Sequence, residues 1–264
     1  KREMDVSPWI NCTVTATPEF AYPGYLRRLL LRSASGLRTD QFFVLKVLGL
    51  IPARGASKGV PRKNIRELCG KPLLAYTAES SLSATRLSRV VLSTEDEEIA
   101  RVGLSLGLDV PFMRPADLAN DDTPTFPVVL HAIRELEMSG DRFDAVCLLQ
   151  PTNPLRKANH IDKCIELLER TGADSVFTVR RVPDEYNPKW VYWRGEILPS
   201  PRRQELPPAY HRDGSVYLTR CCALHSFGNL YGSDARGYEI VGTDHVNIDT
   251  FDDWAAATSL LEMR

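Results

Sequence analysis

The spacing of apolar residues changes at residue 44. Before it no period is sustained, and Pro8, Pro18 and Pro23 stand among scattered Ser and Thr. Residues 1–43 therefore read as an N-terminal extension outside the folded core. From Val44 to Pro52 the chain is almost continuously apolar and ends on proline, which predicts a strand buried on both faces of a parallel sheet. A helix is expected over about Pro72–Leu82 and a second strand over Arg89–Ser93. Thr94-Glu95-Asp96-Glu97 reads as a capping box, and Ile99, Val102 and Leu106 continue from it at helical spacing. Asp109–Phe112 predicts a short strand. Thr125–Met138 predicts a helix with Val128, Val129, Ala132, Ile133 and Leu136 on one face. Strand Asp144–Leu149, a helix marked by Ile161, Cys164, Ile165 and Leu168, and strand Asp174–Val179 follow.

This alternation predicts an α/β fold, a three-layer α/β/α sandwich of Rossmann-like type around a mainly parallel sheet. The domain is expected to run over 44–264. Over 183–210 the alternation fails. Six prolines with Trp190, Tyr192 and Trp193 mark an excursion, either a dimerisation arm rich in aromatic anchors or a local mini-core. Strand character returns at Ser215–Thr219 and Tyr238–Val241, and Thr250-Phe251-Asp252-Asp253 caps a final helix.

Composition narrows the function. There are 33 Lys and Arg against 34 Asp and Glu, and 43% of residues are hydrophobic. A near-neutral chain is a poor polyelectrolyte ligand, so no nucleic-acid partner is expected. No apolar run reaches the length of a membrane span, and the opening residues do not form a signal-peptide core, so no membrane partner and a cytoplasmic location are expected. The six cysteines lack C-x-x-C spacing. Cys147 and Cys164 fall in apolar periodic segments as small buried hydrophobes, and adjacent Cys221-Cys222 read as reduced thiols rather than a redox pair.

The chemistry concentrates in Arg54-Gly55-Ala56-Ser57-Lys58-Gly59-Val60-Pro61-Arg62-Lys63-Asn64, directly after the first strand. Ligands of open α/β sheets sit beyond the carboxyl ends of the strands, which is where this loop begins. Its glycines permit close backbone approach, and Ser57 and main-chain N–H groups can donate to phosphate oxygens. Arg54, Lys58, Arg62 and Lys63 supply the charge a triphosphate needs. The loop is neither a Walker A motif nor G-x-G-x-x-G. Gly55-Ala56-Ser57-Lys58-Gly59 does match G-x-S-x-G, so a serine hydrolase using Ser57 is an alternative, although Pro61 stands where an elbow would enter its helix.

The loop resembles the R-G-x-S-K-G-x-P-x-K-N signature of the acylneuraminate cytidylyltransferase family, the CMP-sialic acid synthetases and their relatives. Three further stretches resemble that family's motifs in order: Arg114-Pro115-Ala116-Asp117-Leu118-Ala119-Asn120-Asp121, Leu148-Leu149-Gln150-Pro151-Thr152-Asn153-Pro154-Leu155-Arg156, and Asn247-Ile248-Asp249-Thr250. The resemblance covers about residues 44–264. It implies a nucleotide-diphospho-sugar transferase-like fold and an Mg²⁺-dependent transfer of CMP from CTP to the anomeric hydroxyl of a nonulosonic acid, of sialic, legionaminic or pseudaminic type. Some similar proteins use GTP, and a catalytically weak sugar-nucleotide binding protein is a further alternative. A homodimer is implied.

The resemblance also implies residue roles. Arg54, Gly55, Ser57, Lys58, Lys63 and Asn64 would hold the nucleotide, and Arg114 would read the base or position the nucleotide. Gln150, Arg203 and Tyr210 would meet the sugar acid, with Arg202 and Arg212 competing for the place of Arg203. Arg54, Lys63 and Asp249 would be the catalytic set. The metal would rest on Asp249 and Asn247, two apart on a strand so that both face one ion. Here the sequence departs from the family, which usually carries two carboxylates. Asn247 retains an oxygen donor and removes one negative charge. Asp213 stands where many members carry Asn before Gly.

Overall fold

The computed structural model describes residues 44–183, 208–242 and 245–263. The central sheet contains β1 (Val47–Pro52), β4 (Arg89–Ser93), β5 (Ala145–Leu148), β6 (Ser175–Arg181), β7 (Tyr210–Arg220) and β8 (Ala235–Glu239), in the order β4-β1-β5-β7-β6-β8. β1 pairs in parallel with β4 and β5, and β6 in parallel with β8; β7 alone runs against its two neighbours. A two-stranded antiparallel ribbon, β2 (Glu67–Leu68) and β3 (Lys71–Pro72), lies outside this sheet.

The helices are α1 (Leu73–Leu82), α2 (Glu97–Ser105), α3 (Thr125–Met138), α4 (Ala158–Thr171), α5 (Cys221–Phe227) and α6 (Phe251–Glu262). Alternation along β1 explains the layers. Val47 and Ile51 join one buried cluster with Leu74 and Ala78 of α1, Ile99 of α2, and Ile161, Ile165 and Leu168 of α4. Leu48 and Leu50, on the opposite face, join Val129, Ile133 and Leu136 of α3 and Leu224 of α5. The sheet is thus covered on both sides, as the near-continuous apolar run of β1 requires. A third cluster packs Leu68, Leu73 and Leu155 against Val246, Ile248 and Ala257, which ties α6 and the segment before it to the rest.

Arg89–Ser93 and Thr125–Met138 form with the expected bounds. Four expectations need correction. Asp109–Phe112 is reduced to one bridge, Asp109 with Val91, in which the Leu92 N–H donates to the Asp109 carbonyl at 2.8 Å and the Asp109 N–H to the Val90 carbonyl at 3.4 Å. The last strand is Ala235–Glu239 rather than Tyr238–Val241, since the register with β6 starts at Ala235. The cap of α2 is Asp96, whose carboxylate accepts from the N–H groups of Glu98 and Ile99 at 2.9 and 3.0 Å; Thr94 lies two residues too early. Asn247 to Asp249 lie in irregular chain, not on a strand. Thr250 caps α6 as expected, in a reciprocal box with Asp253. The described cysteines are free, and Cys147 and Cys164 are fully buried; burial pushes the Cys147 thiol up to about 12.

Most of the excursion and the whole of 1–43 lie outside the described residues. At its edges the Val182 N–H donates to the Ala209 carbonyl at 2.8 Å, so the chain leaves and re-enters the sheet at neighbouring points.

Candidate active site

β1 is the strand where the sheet changes direction of growth, with β4 on one side and β5 on the other. A crevice of about 370 Å³ opens beyond the carboxyl ends of β1 and β5, of the size that holds small ligands. Arg54, Ser57, Lys63 and Asn64 line it from the loop after β1, and Gln150 from the end of β5. Arg114, Asn247 and Asp249 complete the expected set there. Residues from four distant stretches of chain therefore meet in one place.

Two expected residues, Lys58 and Tyr210, are not among those that line the crevice. Lys58 is at the rim, exposed and paired with Asp121 at 3.1 Å. Tyr210 is exposed at the start of β7 and is not among the lining residues. Arg203 lies outside the described residues. The two loop glycines admit close approach, but of the chain itself. A methyl group on Gly59 would overlap the Asp249 carbonyl oxygen, and one on Gly55 would strike the Asp96 carboxylate. The Gly55 N–H is also engaged, by Glu95 Oε1 at 2.6 Å.

The loop is held from two sides. Asn64, buried, donates its side-chain amide to the Arg54 carbonyl at 2.9 Å and closes the loop on itself. Lys63, only 11% exposed, donates to the Ile248 carbonyl at 2.5 Å and pairs with Asp249 Oδ1 at 3.1 Å. Arg62 pairs with Asp96 and Glu98 and so faces away from the phosphate role its charge suggested. The hydrogen bond from Arg62, foremost, holds the Asp96 carboxyl below its usual range.

Glu95 and Asp121 were given no role in the site by the sequence reading. Glu95 uses one oxygen on Gly55 and the other on Arg114, 2.6 Å away. Arg114 is buried, its side chain 3% exposed, so it is no surface ion pair. Its Nε has no partner among the described residues, an open donor on a lining side chain. Asp121 lines the crevice and meets Arg54 at 2.8 Å as well as Lys58. The Lys58 hydrogen bond, with Arg54 adding to it, holds its carboxyl below the usual range. Glu95 had no readable signal beyond its charge, and Asp121 stood in the sequence only as the last residue of the Arg114–Asp121 motif, because the partners of each are distant in sequence.

Behind the crevice, Arg156 is buried and donates to the Ser215 carbonyl at 2.5 Å, to Thr77 Oγ1 at 2.9 Å and to the Gln150 carbonyl. It fixes the strand end that presents Gln150. Asp213 is likewise buried; despite the opposing effect of burial, bonds from Thr178 and Ser215 hold its carboxyl below the usual range.

The oxygen donors suit a hard divalent cation. Asp249 Oδ2 is 2.8 Å from the Asn247 side-chain amide, so both reach one point. Turning that amide presents its oxygen instead. Among the described residues no group of three His, Cys, Asp or Glu could cage a metal. Two oxygens fit Mg²⁺, which keeps waters and takes substrate phosphates rather than a full protein shell. Among the described residues no histidine lines the crevice, and the loop passes through Val60-Pro61 into a short 3₁₀ turn, Lys63–Ile65, so Ser57 has neither a lining base among them nor the helix of a hydrolase elbow.

The sequence profile of the cytidylyltransferase family matches residues 48–189. The chain belongs to that family. The CMP-N,N'-diacetyllegionaminic acid synthase of Legionella pneumophila is 31% identical over 229 residues, covering 83% of this chain and 97% of that protein. The pseudaminic acid cytidylyltransferase of Campylobacter jejuni is 35% identical over 181 residues, 66% of this chain and 78% of that protein. Among solved structures, a CMP:2-keto-3-deoxy-manno-octonic acid synthetase complexed with CTP superimposes with a TM-score of 0.65 at 17% identity, over 83% of this chain and 99% of that one, which shows a shared fold. Among the described residues no helix is long and apolar enough to cross a membrane.

Proposed function

We propose that this cytidylyltransferase moves CMP from CTP to the anomeric hydroxyl of a nonulosonic acid and releases pyrophosphate. The observation that carries the reading is the meeting of Arg54, Ser57, Lys63, Arg114, Gln150 and Asp249 around one crevice. The names of the two relatives, both concerned with nine-carbon sugar acids, support the acceptor class.

In the reaction the anomeric oxygen bonds to the α-phosphorus as the bond to the leaving pyrophosphate breaks. Negative charge builds on the leaving group, and fixed cations stabilise it best when held before the reaction begins. Lys63 is held by Ile248 and Asp249, and Arg54 by Asp121. Ser57 donates to a phosphate oxygen. Arg114, locked by Glu95, directs its unpartnered Nε to the nucleotide. Gln150 offers a neutral amide to the sugar acid. Asp249 and Asn247 would hold Mg²⁺, which when bound supplies charge neutralisation on the phosphates.

The sugar carboxylate requires a cation, and Arg203, with Arg202 and Arg212 as competitors, is the proposed source. The proposed catalytic domain is 44–264, with the excursion over 183–210 serving a homodimer. Size-exclusion chromatography with light scattering tests that assembly, and a monomer at micromolar concentration refutes it.

The deciding experiment measures pyrophosphate release from CTP, GTP, UTP and ATP with Mg²⁺ against sialic, legionaminic and pseudaminic acids. Release with CTP and one of these acids is expected. No release with any pair overturns the proposal, and release with GTP alone replaces the nucleotide.

A further inference from the structure

Asp121 ends the stretch Arg114–Asp121, and its side chain holds Arg54 before the nucleotide arrives. It lines the crevice from the segment between the 3₁₀ turn Ala116–Leu118 and α3. That turn is held by its own bonds: Asn120 and Thr123 both donate to the Asp117 carbonyl at 3.2 Å, and the Thr123 N–H donates to the Asn120 carbonyl at 3.1 Å. The Asp121 carboxylate is not used there. It bridges two cations of the phosphate loop, one oxygen to Arg54 at 2.8 Å and the other to Lys58 at 3.1 Å.

A carboxylate is an unexpected guest among groups suited to a triphosphate. Two cations without a counter-ion would repel each other and swing freely. One carboxylate between them orders both. It carries a single charge, however, and pyrophosphate carries more, with oxygens that accept from the same donors.

We infer that Asp121 is the resident counter-ion of the triphosphate seat: it orders Arg54 and Lys58 between turnovers, yields them to a polyphosphate, and so weakens the retention of pyrophosphate. The inference rests on the proposed reading of Arg54 and Lys58 as phosphate ligands. Its mark is a reversal of sign. Removing an active-site carboxylate normally harms an enzyme of this kind, whereas here it tightens the binding of a product.

The test is calorimetric titration of the full chain with inorganic pyrophosphate, with and without Mg²⁺. Asp121→Asn binds about tenfold more tightly than the parent, the equivalent of one or two charge-assisted bonds that no longer have to be broken. Pyrophosphate also inhibits this variant more strongly. Arg54→Gln binds about tenfold more weakly, and in Arg54→Gln/Asp121→Asn most of the gain disappears. If Arg54→Gln binds like the parent, the phosphate seat itself is misplaced. If Arg54→Gln weakens binding and Asp121→Asn leaves it unchanged, the counter-ion role is overturned. Weaker binding of magnesium pyrophosphate by Asp121→Asn also overturns it, since the carboxylate would then serve the metal. Asp121→Ser, judged with the same titration and a melting curve, guards against a folding defect in the first variant.

Discussion

Gly59 packs directly against the backbone of Asp249, with no room for a side chain between them. The loop that carries the cations is thereby seated on the segment that carries Asp249, the proposed metal ligand, 190 positions further along the chain. Lys63 makes the same junction with a side chain, through the Ile248 carbonyl and Asp249. Gly59→Ala must push the two segments apart, because the obstacle is backbone and cannot rotate aside. A shift of about 1 Å at a reacting centre costs on the order of 100-fold in rate. Steady-state kinetics of Gly59→Ala with an unchanged melting cooperativity check this; activity within twofold of the parent refutes it.

Lys63 is a largely enclosed cation at the crevice, held by Ile248 and Asp249. Its removal takes away charge stabilisation that matters most as pyrophosphate departs. Lys63→Ala lowers kcat by roughly 100- to 1,000-fold, and the KM for CTP changes far less. A loss confined to KM would reassign Lys63 to ground-state binding.

Glu95 joins the phosphate loop to Arg114 through its two oxygens. Glu95→Gln leaves a buried guanidinium without its counter-ion. Stability falls by about 2–3 kcal/mol, less than for a fully enclosed pair because Glu95 is partly exposed. The KM for CTP rises roughly tenfold with kcat nearly unchanged, because the nucleotide is held less well before chemistry begins. A fall in stability with unaltered kinetics would make Glu95 structural only.

Asn247 supplies one charge fewer than a second carboxylate would. Asn247→Asp restores it and lowers the Mg²⁺ concentration for half-maximal rate about fivefold. Asp249→Ala raises that concentration. Magnesium titration of the rate measures both, and identical curves for parent and Asn247→Asp would remove residue 247 from the metal site.

His160, in the first turn of α4, accepts the Lys157 N–H on Nδ1 at 3.3 Å. Burial lowers its pKa to about 4 from the ordinary 6.5. A histidine depressed in the folded state favours folding while neutral, so the stability it confers is complete above about pH 6.5 and is lost as pH falls towards about 4. Allowing for its partial exposure, the loss is about 2 kcal/mol. Urea denaturation across this range shows the slope, and His160→Asn flattens it. An equal slope in the variant would assign the acid sensitivity to other groups.

Some elements were legible because their cause is local. β4 and α3 form over the expected residues, since β-branched clustering and a 3.6-residue apolar period lie within a few turns of chain. The cap of α6 was readable for the same reason, whereas that of α2 was misplaced because Thr94 and Asp96 both offer oxygens within three residues. The loop after β1 declared its charge, but the use of each charge was not visible. Arg62 went to Asp96 and Glu98, and Lys58 to Asp121.

Taken by itself, the sequence determined the layered α/β class, the crevice-facing position of the loop from Arg54 to Asn64, and the family to which its four motifs belong. These follow from periodicity and from residues close together in the chain. Only the tertiary structure decided that β7 enters the sheet antiparallel between β5 and β6, that Gly59 meets Asp249, and that Glu95 and Asp121 are the counter-ions of Arg114 and Arg54. Such pairings join residues far apart in sequence. They are selected by packing, burial and charge once the core has brought the segments together, and no short window of the chain contains both partners.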